Sequence, residues 1–435
     1  MTDSNFSELG LADPIQHALK ARNHVTPTPI QARAIPELLA GRDMLGVAQT
    51  GTGKTAAFAL PILHQLARKR GKDGNGRARG PRAVILAPTR ELAIQIGDEF
   101  RAYGRQLNLR QTVIFGGVSQ RPQVKALLRG VEIVIATPGR LLDLLEQRRL
   151  VLDAVEFFVL DEADRMLDMG FVRDVRKIIA ALPRARQSLL FSATMPREVA
   201  RLSGEILADP VRVEVAAQAT PVERIEQRVH HVDTAGKEAL LTGILRDPGM
   251  ERAIVFTRTK HRANRLAVSL EKRGLPAEAI HGNKSQAARQ RALKRFRAGE
   301  VRILVATDIA ARGIDVDGIS HVINFELPNE PESYVHRIGR TARAGASGIA
   351  ISFCDPAERA YLRDIERLIR FRLTVIGEGP SAVTVPGGQG KPKPGTKPKT
   401  KKSRGKPWPK RGRRRAKVVA ANDAAPGGRR RKRAA

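Results

Sequence analysis

AVILAPTR at residues 83–90 and AIVFTRTK at 253–260 each read as four apolar residues running into a polar turn, and they lie 170 positions apart. A second pair, EIVIATP at 132–138 and RILVATD at 302–308, repeats with the same displacement. Short apolar runs bounded by turn residues read as strands buried on both faces. Here they alternate with helical periodicity through the first 370 residues, the pattern of βαβ units and parallel sheets. One offset shared by two separate pairs argues for two copies of one α/β fold. The boundary falls at 216–226, where AAQATPVERIE loses strand periodicity. This gives a first domain over 1–215, a linker over 216–226 and a second domain over 227–376.

The chain has 435 residues, enough for two or three domains at roughly 100–200 residues each. Its single cysteine, Cys354, excludes an intramolecular disulfide and a cysteine-based zinc site. The opening MTDSNFSELG lacks the basic and apolar regions of a signal peptide, and no apolar run approaches the roughly 18 residues of a membrane span. A cytoplasmic monomer that makes no use of a membrane is the expectation. Lys and Arg number 77 against 44 Asp and Glu, a formal net charge of +33, which calls for a polyanionic partner. The charge is concentrated at the end: Lys391 to Ala435 holds 19 Lys and Arg and one acid, Asp423. From about Gly377 the apolar pattern gives way to Gly, Pro, Lys and Arg, so 377–435 reads as a disordered basic tail that accumulates on phosphate polymers. Aromatic residues are only 4% of the chain, few for a surface that stacks bases, so contacts to a nucleic-acid backbone should dominate.

AQTGTGKT at 48–55 follows the strand-like DMLGVA and precedes the helix-compatible AAFALPILHQL, the setting a phosphate-binding loop requires. In such a loop the backbone of Thr50, Gly51, Thr52 and Gly53 approaches the β- and γ-phosphates of a nucleotide. Lys54 reaches the phosphate oxygens and Thr55 holds Mg²⁺. Ala48 stands where the motif usually begins with Gly. Only the first copy carries such a loop, so one nucleotide site bordered by both copies is the economical arrangement. VEFFVLDEAD at 155–164 is an apolar run ending in carboxylates. Ligands of an open parallel sheet sit outside the carboxyl ends of its strands. Asp161 is therefore expected to face the loop and share the Mg²⁺ through water, with Glu162 orienting or deprotonating the attacking water.

At DEAD, 161–164, the sequence resembles the DEAD-box RNA helicases, and further motifs follow in that family's order from about Phe6 to Arg372. The resemblance implies two tandem RecA-like parallel-sheet domains ahead of the basic tail, with ATP and Mg²⁺ as cofactors and RNA as partner. TPTPIQ at 26–31 resembles the adenine-reading Q motif, with Gln31 bonding the base edge. The Phe or Tyr usual seven residues earlier is His24 here, which implies weaker stacking on adenine. PTREL at 88–92, GG at 116–117 and TPGR at 137–140 resemble RNA-contacting loops. Pro88, Thr89, Arg90, Gly116, Gly117, Thr137, Pro138, Gly139 and Arg140 are thereby implied to hold phosphates and 2′-hydroxyls without reading sequence. SAT at 192–194 resembles the motif that couples hydrolysis to strand separation, through Ser192 and Thr194.

In the second copy, VFTRT at 255–259 and QAAR at 286–289 imply RNA contacts by Arg258, Gln286 and Arg289. ATDIAARGID at 306–315 implies Thr307 on the RNA side and Gly313 and Asp315 on the nucleotide. HRIGRTARAG at 336–345 supplies His336 and Arg337 as coupling residues and Arg340 and Arg343 as arginine fingers. Ala342 stands where the motif usually has Gly, a change expected to be mild if φ there is negative. The opening FSELGLADPIQHAL and the compact core followed by a basic tail look most like the bacterial RhlE-type branch.

The implied activity is RNA-stimulated ATP hydrolysis coupled to local, non-processive separation of short duplexes or remodelling of RNA–protein complexes, in ribosome assembly or RNA turnover. Two other classes compete with it. One is an ATP-independent RNA chaperone in which the tail binds and the nucleotide site is idle; the intact GKT, DEAD and SAT stretches stand against it. The other is a DNA helicase on the same paired domains, disfavoured by the Q motif and the DEAD spelling.

Overall fold

The computed structural model describes residues 5–49, 51–69, 80–215, 225–311, 316, 318–342 and 347–377. Most of the expected linker and nearly all of the expected tail lie outside these residues. Seven strands form the first sheet: β1 (Met44–Val47), β2 (Ala83–Leu86), β3 (Gln111–Ile114), β4 (Ile133–Ala136), β5 (Phe157–Leu160), β6 (Gln187–Ser192) and β7 (Val211–Glu214). Seven more form the second: β8 (Ile225–His231), β9 (Ala253–Phe256), β10 (Ala277–Ile280), β11 (Ile303–Ala306), β12 (His321–Asn324), β13 (Gly348–Cys354) and β14 (Thr374–Val375).

The first sheet runs β3-β4-β2-β5-β6-β1-β7 and the second β10-β11-β9-β12-β13-β8-β14, with every pairing parallel. Counted from its own first strand, each sheet has the same order. The stretches displaced by 170 residues fall on matching strands, β2 with β9 and β4 with β11, so the repeat in sequence is a repeat in topology. The chain is an α/β protein of two tandem RecA-like lobes.

Burial on both faces explains the unbroken apolar runs. In β2, Ala83 and Ile85 enter one core cluster and Val84 and Leu86 the cluster on the opposite face. In β9, Ala253 and Val255 divide from Ile254 and Phe256 in the same way. Alternate residues of a strand point to opposite faces, so a polar side chain at any of these positions would enter a core. Each fully buried Val, Leu or Ile side chain contributes about 1.5–3 kcal/mol relative to exposure. The match extends to the helix starts. Thr89 caps the helix Arg90–Tyr103 by accepting from the Leu92 N–H at 3.2 Å, and Thr259 caps Lys260–Lys272 by accepting from the Arg262 N–H, also at 3.2 Å.

Strand polarity then determines where chemistry can gather. The loops after β1, β2, β3, β4 and β5 and the end of β6 carry Gly51–Lys54, Pro88–Arg90, Gly116–Gly117, Thr137–Arg140, Asp161–Glu162 and Ser192, all at one edge of the first sheet. Arg258 and Thr307 follow β9 and β11 in the second.

Candidate active site and nucleic-acid interface

Gly51 and Gly53 adopt φ of 86° and 91°, open to glycine and strained for other residues. At Gly53 a second constraint acts, because an added Cβ would lie 2.4 Å from Gln31 Nε2. Gln31 packs there by donating to the Gly53 carbonyl at 3.0 Å and accepting from the Thr28 N–H at 2.9 Å, so the predicted base-reading amide is also the support of the phosphate loop. His24 is exposed; its Nδ1 lies 3.4 Å from the Tyr103 hydroxyl, and Arg22 stands 4.8 Å over the Tyr103 ring. Partial burial and then the Arg22 charge lower the His24 pKa, so the ring is neutral at pH 7.

Lys54 opens the helix Lys54–Lys69 and is 6% exposed. Among the described residues its Nζ has no hydrogen-bond partner. A buried ammonium without an acceptor is costly unless an anion meets it. Asp161 is the nearby countercharge. Burial pushes its carboxyl up to about 6, opposed by the Lys54 charge and by the hydrogen bond it accepts from the Glu162 N–H at 3.0 Å. A buried acid that resists ionisation gains most from a cation. The buried ammonium, the glycine cradle and this carboxylate therefore fit a nucleoside triphosphate with Mg²⁺, and Thr55 and Asp161 are the residues that would hold the metal. Thr50 lies outside the described residues.

Glu162 sits at φ 55°, ψ 53°, a left-handed conformation that costs a non-glycine residue roughly 1–3 kcal/mol and collects at functional sites. Its carboxylate is taken up by Arg165, whose Nη1 donates to both oxygens at 3.0 and 2.9 Å. Neither Arg165 nor Asp164, the hub of this region, is among the site residues that the sequence motifs imply. Asp164 Oδ2 accepts from the Ala193 N–H at 3.2 Å, the Thr194 N–H at 2.9 Å and the Thr194 hydroxyl at 3.0 Å, while its own N–H donates to Ser192 Oγ at 3.2 Å. Ser192 and Thr194 are thus tied to the acidic strand end through one residue, Ser192 by the Asp164 backbone N–H and Thr194 by its carboxylate. The signal available was the second aspartate of DEAD, three residues after the first.

On the other side of these loops, Pro88, Thr89, Arg90, Gly116, Thr137, Gly139 and Arg140 line a cleft of about 590 Å³ with Gly282, Arg289 and Ala310 of the second lobe. The Arg90 guanidinium lies over Gly117, φ 74°, where an added Cβ would meet Nη1 at 2.2 Å. Burial and then the charges of Arg289 and Arg140 lower the Arg90 pKa, the mark of a cationic pocket. Arg140 donates to the Val118 carbonyl at 3.3 and 3.4 Å and pairs with Asp143 at 3.3 Å. Pro138 is buried in the first turn of the helix Pro138–Glu146, which Thr137 precedes.

Gln286 and Arg289 are committed to the first lobe. Both meet Glu91 of PTREL, Gln286 Nε2 at 2.9 Å and Arg289 Nη2 at 3.0 Å, a contact the prediction did not include. Arg258 pairs with the buried Glu358 at 3.0 Å, and Glu358 also pairs with the buried Lys237. Thr307 begins the short helix after β11, accepting at its carbonyl from the Ala310 and Ala311 N–H groups.

Arg337 is 1% exposed, in a bidentate pair with Asp308; its Nη1 donates to Asn324 Oδ1 at 3.2 Å and the Glu326 carbonyl at 2.7 Å. His336 is exposed, and its carbonyl accepts from Arg340 Nε at 3.2 Å. Arg340 is 4% exposed, near Asp308 and Arg337. Gly313, Asp315 and Arg343 lie outside the described residues. Ala342 is described, and its φ is 54°, not negative. The change from Gly therefore carries backbone strain, because Cβ crowds the carbonyl oxygen in the left-handed region.

A phosphate-binding loop and acidic strand end on one RecA-like lobe, together with a cationic cleft that this lobe shares with a second, define a two-lobed nucleoside triphosphatase of the helicase class. Comparison with known proteins agrees. Residues 28–202 match the DEAD/DEAH box helicase family model and 236–345 the helicase conserved C-terminal domain. The chain is 43% identical over 370 residues to the DEAD-box ATP-dependent RNA helicase CshA of Bacillus cereus, covering 85% of this chain and 69% of that one. The CshA of Geobacillus kaustophilus is also 43% identical over 370 residues, covering 85% and 78%. Among solved structures, Saccharomyces cerevisiae Dbp5 bound to RNA and ADP BeF3 superposes with a TM-score of 0.74 at 32% identity, covering 85% of this chain and 95% of that one. Mss116p bound to ssRNA and AMP-PNP gives 0.75 at 30% identity, covering 86% and 79%. This chain belongs to the DEAD-box RNA helicase family.

Proposed function

We propose that ATP hydrolysis by this ATP-dependent RNA helicase is conditional on RNA, and that it drives local, non-processive opening of short duplexes or remodelling of RNA–protein complexes. The observation that carries the reading is the buried Lys54 ammonium, without a hydrogen-bond partner among the described residues, beside Asp161 on one lobe, with the Arg340 guanidinium on the other. Phosphoryl transfer asks protein groups mainly for positioning and charge stabilisation. Splitting those groups between lobes makes turnover depend on closure, and RNA lying across both lobes supplies the differential affinity that favours closure.

In this scheme Lys54 holds phosphate oxygens, and Thr55 and Asp161 hold Mg²⁺, which supplies charge neutralisation at the phosphates when bound. Glu162, exchanging Arg165 for water, orients the nucleophile and accepts its proton. Gln31 carries base contact to the phosphate loop, with His24 as a weakly stacking neighbour. Arg340 and Arg343 act as arginine fingers, with Gly313 and Asp315 on the nucleotide. The Arg90, Arg140 and Arg289 cleft holds the RNA backbone without reading sequence. Ser192, Thr194, His336 and Arg337 transmit the state of the nucleotide to the RNA side. The domain limits at 215 and 227, the tail beyond 377 as a non-specific RNA tether, and an RhlE-type place in cytoplasmic ribosome assembly or RNA turnover belong to the same reading. Among the described residues no helix is long and apolar enough to cross a membrane.

Steady-state ATP hydrolysis without nucleic acid, with single-stranded or structured RNA, and with matched DNA, for the wild type and Glu162→Gln, tests it. Stimulation by RNA alone that vanishes in the variant is expected. Equal rates with and without RNA would overturn the conditional site, and equal stimulation by DNA would overturn RNA selectivity.

A further inference from the structure

A second cationic groove opens at the opposite edge of the first sheet. Its cavity of about 450 Å³ is lined by Arg110, Leu128, Arg129, Arg148, Arg149 and Val151, among others. These residues precede β3, β4 and β5 or end the helices beside them, whereas the catalytic loops leave the far ends of the same strands. Four residues of strand at about 3.3 Å each separate the two edges, so the groove is distinct from the ATP site and from the RNA cleft.

Three of its four arginines present their charge, and one is paired with Glu132, which also lines the groove. Arg110 is turned inward, its Nη1 donating to the Arg129 carbonyl at 2.7 Å and its Nη2 3.8 Å from Glu132. Arg129, Arg148 and Arg149 are exposed and face no carboxylate in the ion pairs of the described residues. The backbone helps to present them. The helix Pro138–Glu146 ends in a Schellman pair, the Arg149 N–H bonding the Leu144 carbonyl and the Arg148 N–H the Leu145 carbonyl, each at 2.9 Å. That motif favours glycine at its left-handed position, yet the residue there is Arg148 at φ 54°. Arg148 thus occupies a position where the backbone favours glycine, and the turn places the side chains of Arg148 and Arg149 together on the groove.

We infer that this groove binds the phosphodiester backbone of RNA extending beyond the segment held between the lobes. The inference goes beyond the proposed function and takes from it only that RNA is the substrate. Three free guanidinium groups match successive phosphates. Among the described residues no aromatic side chain lines the groove, so they offer no platform for bases. An acidic protein segment fits less well, because the apolar side chains stand out as knobs and provide no recess for an anchor: Leu128 is 78% exposed and Val151 44%.

The test uses the full chain carrying Arg129→Ala, Arg148→Ala and Arg149→Ala together, with a 10-nucleotide oligouridylate and with a 40-nucleotide RNA in which a hairpin follows that same segment. ATP hydrolysis with the short RNA should match the wild type, which keeps the outcome separate from that of the main cleft. Affinity for the long RNA should fall about three- to tenfold, and the slope of log affinity against log salt should drop by about 2, near 0.7 for each lost phosphate contact. Photo-cross-linking of 4-thiouridine in the hairpin should label the peptides holding Arg129 and Arg148, and the single change Arg148→Gly, which relieves the strain while removing one charge, should show a smaller loss. Unchanged long-RNA affinity with no label in these peptides would overturn the inference. So would an equal loss for both RNAs, which would place the arginines in the service of the main cleft. Binding of a glutamate-rich peptide abolished by the triple variant, with long-RNA affinity intact, would reassign the groove to a protein.

Discussion

Thr194 is fastened to Asp164 twice, through its backbone N–H at 2.9 Å and its hydroxyl at 3.0 Å, both to the same carboxylate oxygen. Asp164 in turn directly follows the turn that carries Asp161 and Glu162, so a shift at the acidic strand end reaches the loop after β6 by way of one side chain. Thr194→Val keeps the shape and the backbone bond and removes only the hydroxyl. A hydrogen bond to a charged group contributes about 1.5–3 kcal/mol, or tenfold and more. Duplex separation should fall by about that factor while RNA-stimulated ATP hydrolysis persists, compared by strand displacement and phosphate release on the same samples. Equal loss of both would mean that Thr194 serves hydrolysis itself.

Asp161 supplies a pH-dependent test. Burial raises its folded pKa to about 6 from an ordinary value of 3.8, so the native state without nucleotide favours the neutral acid. Its contribution to stability is complete below about 3.8 and is lost as pH rises through about 6. Asp161→Asn should therefore raise the melting temperature at pH 7–8 in EDTA, and the gain should shrink as pH falls through 6 and disappear below 4. Thermal unfolding from pH 4 to 8 reads this. A gain that is constant with pH would show that ionisation at this position is not the cause.

Ala342 is strained at φ 54°. The left-handed region costs an L-residue about 1–2 kcal/mol, and glycine gives back roughly 0.5–1 kcal/mol in chain entropy. Ala342→Gly should be more stable by about 0.5–1 kcal/mol, or a few degrees in melting temperature. A loss of stability would mean that the methyl group contributes packing that outweighs its backbone cost.

Glu91 joins the lobes through Gln286 and Arg289 and is 4% exposed. Removing one partner of a buried ion pair costs about 3–5 kcal/mol, because the other charge stays buried. Glu91→Ala should lower the melting temperature by several degrees, and Glu91→Gln, which can still accept from Gln286, should lose less. Identical losses in the two variants would assign the effect to packing.

The architecture was legible early because parallel strands buried on both faces leave unbroken apolar runs. Two such pairs at one offset were enough to announce a repeat that proved identical in strand order. The placement of Lys54, Asp161 and Ser192 at strand ends was legible for a related reason: each sits in a short stretch whose spacing is dictated by one strand and the turn after it.

Local geometry and composition are written in the chain: the apolar periods, the glycines of the phosphate loop, the acidic strand end and the charge. Which polar groups meet is set by packing between distant elements. Glu91 with Arg289, Asp164 with Thr194 and Arg337 with Asp308 stand 198, 30 and 29 residues apart, and no periodicity in the chain encodes such distances. That Arg129 and Arg148 line one groove likewise follows from how the ends of separate elements pack. Sequence patterns report the face an element buries; which side chains complete one another's hydrogen bonds is settled only when those faces are brought together.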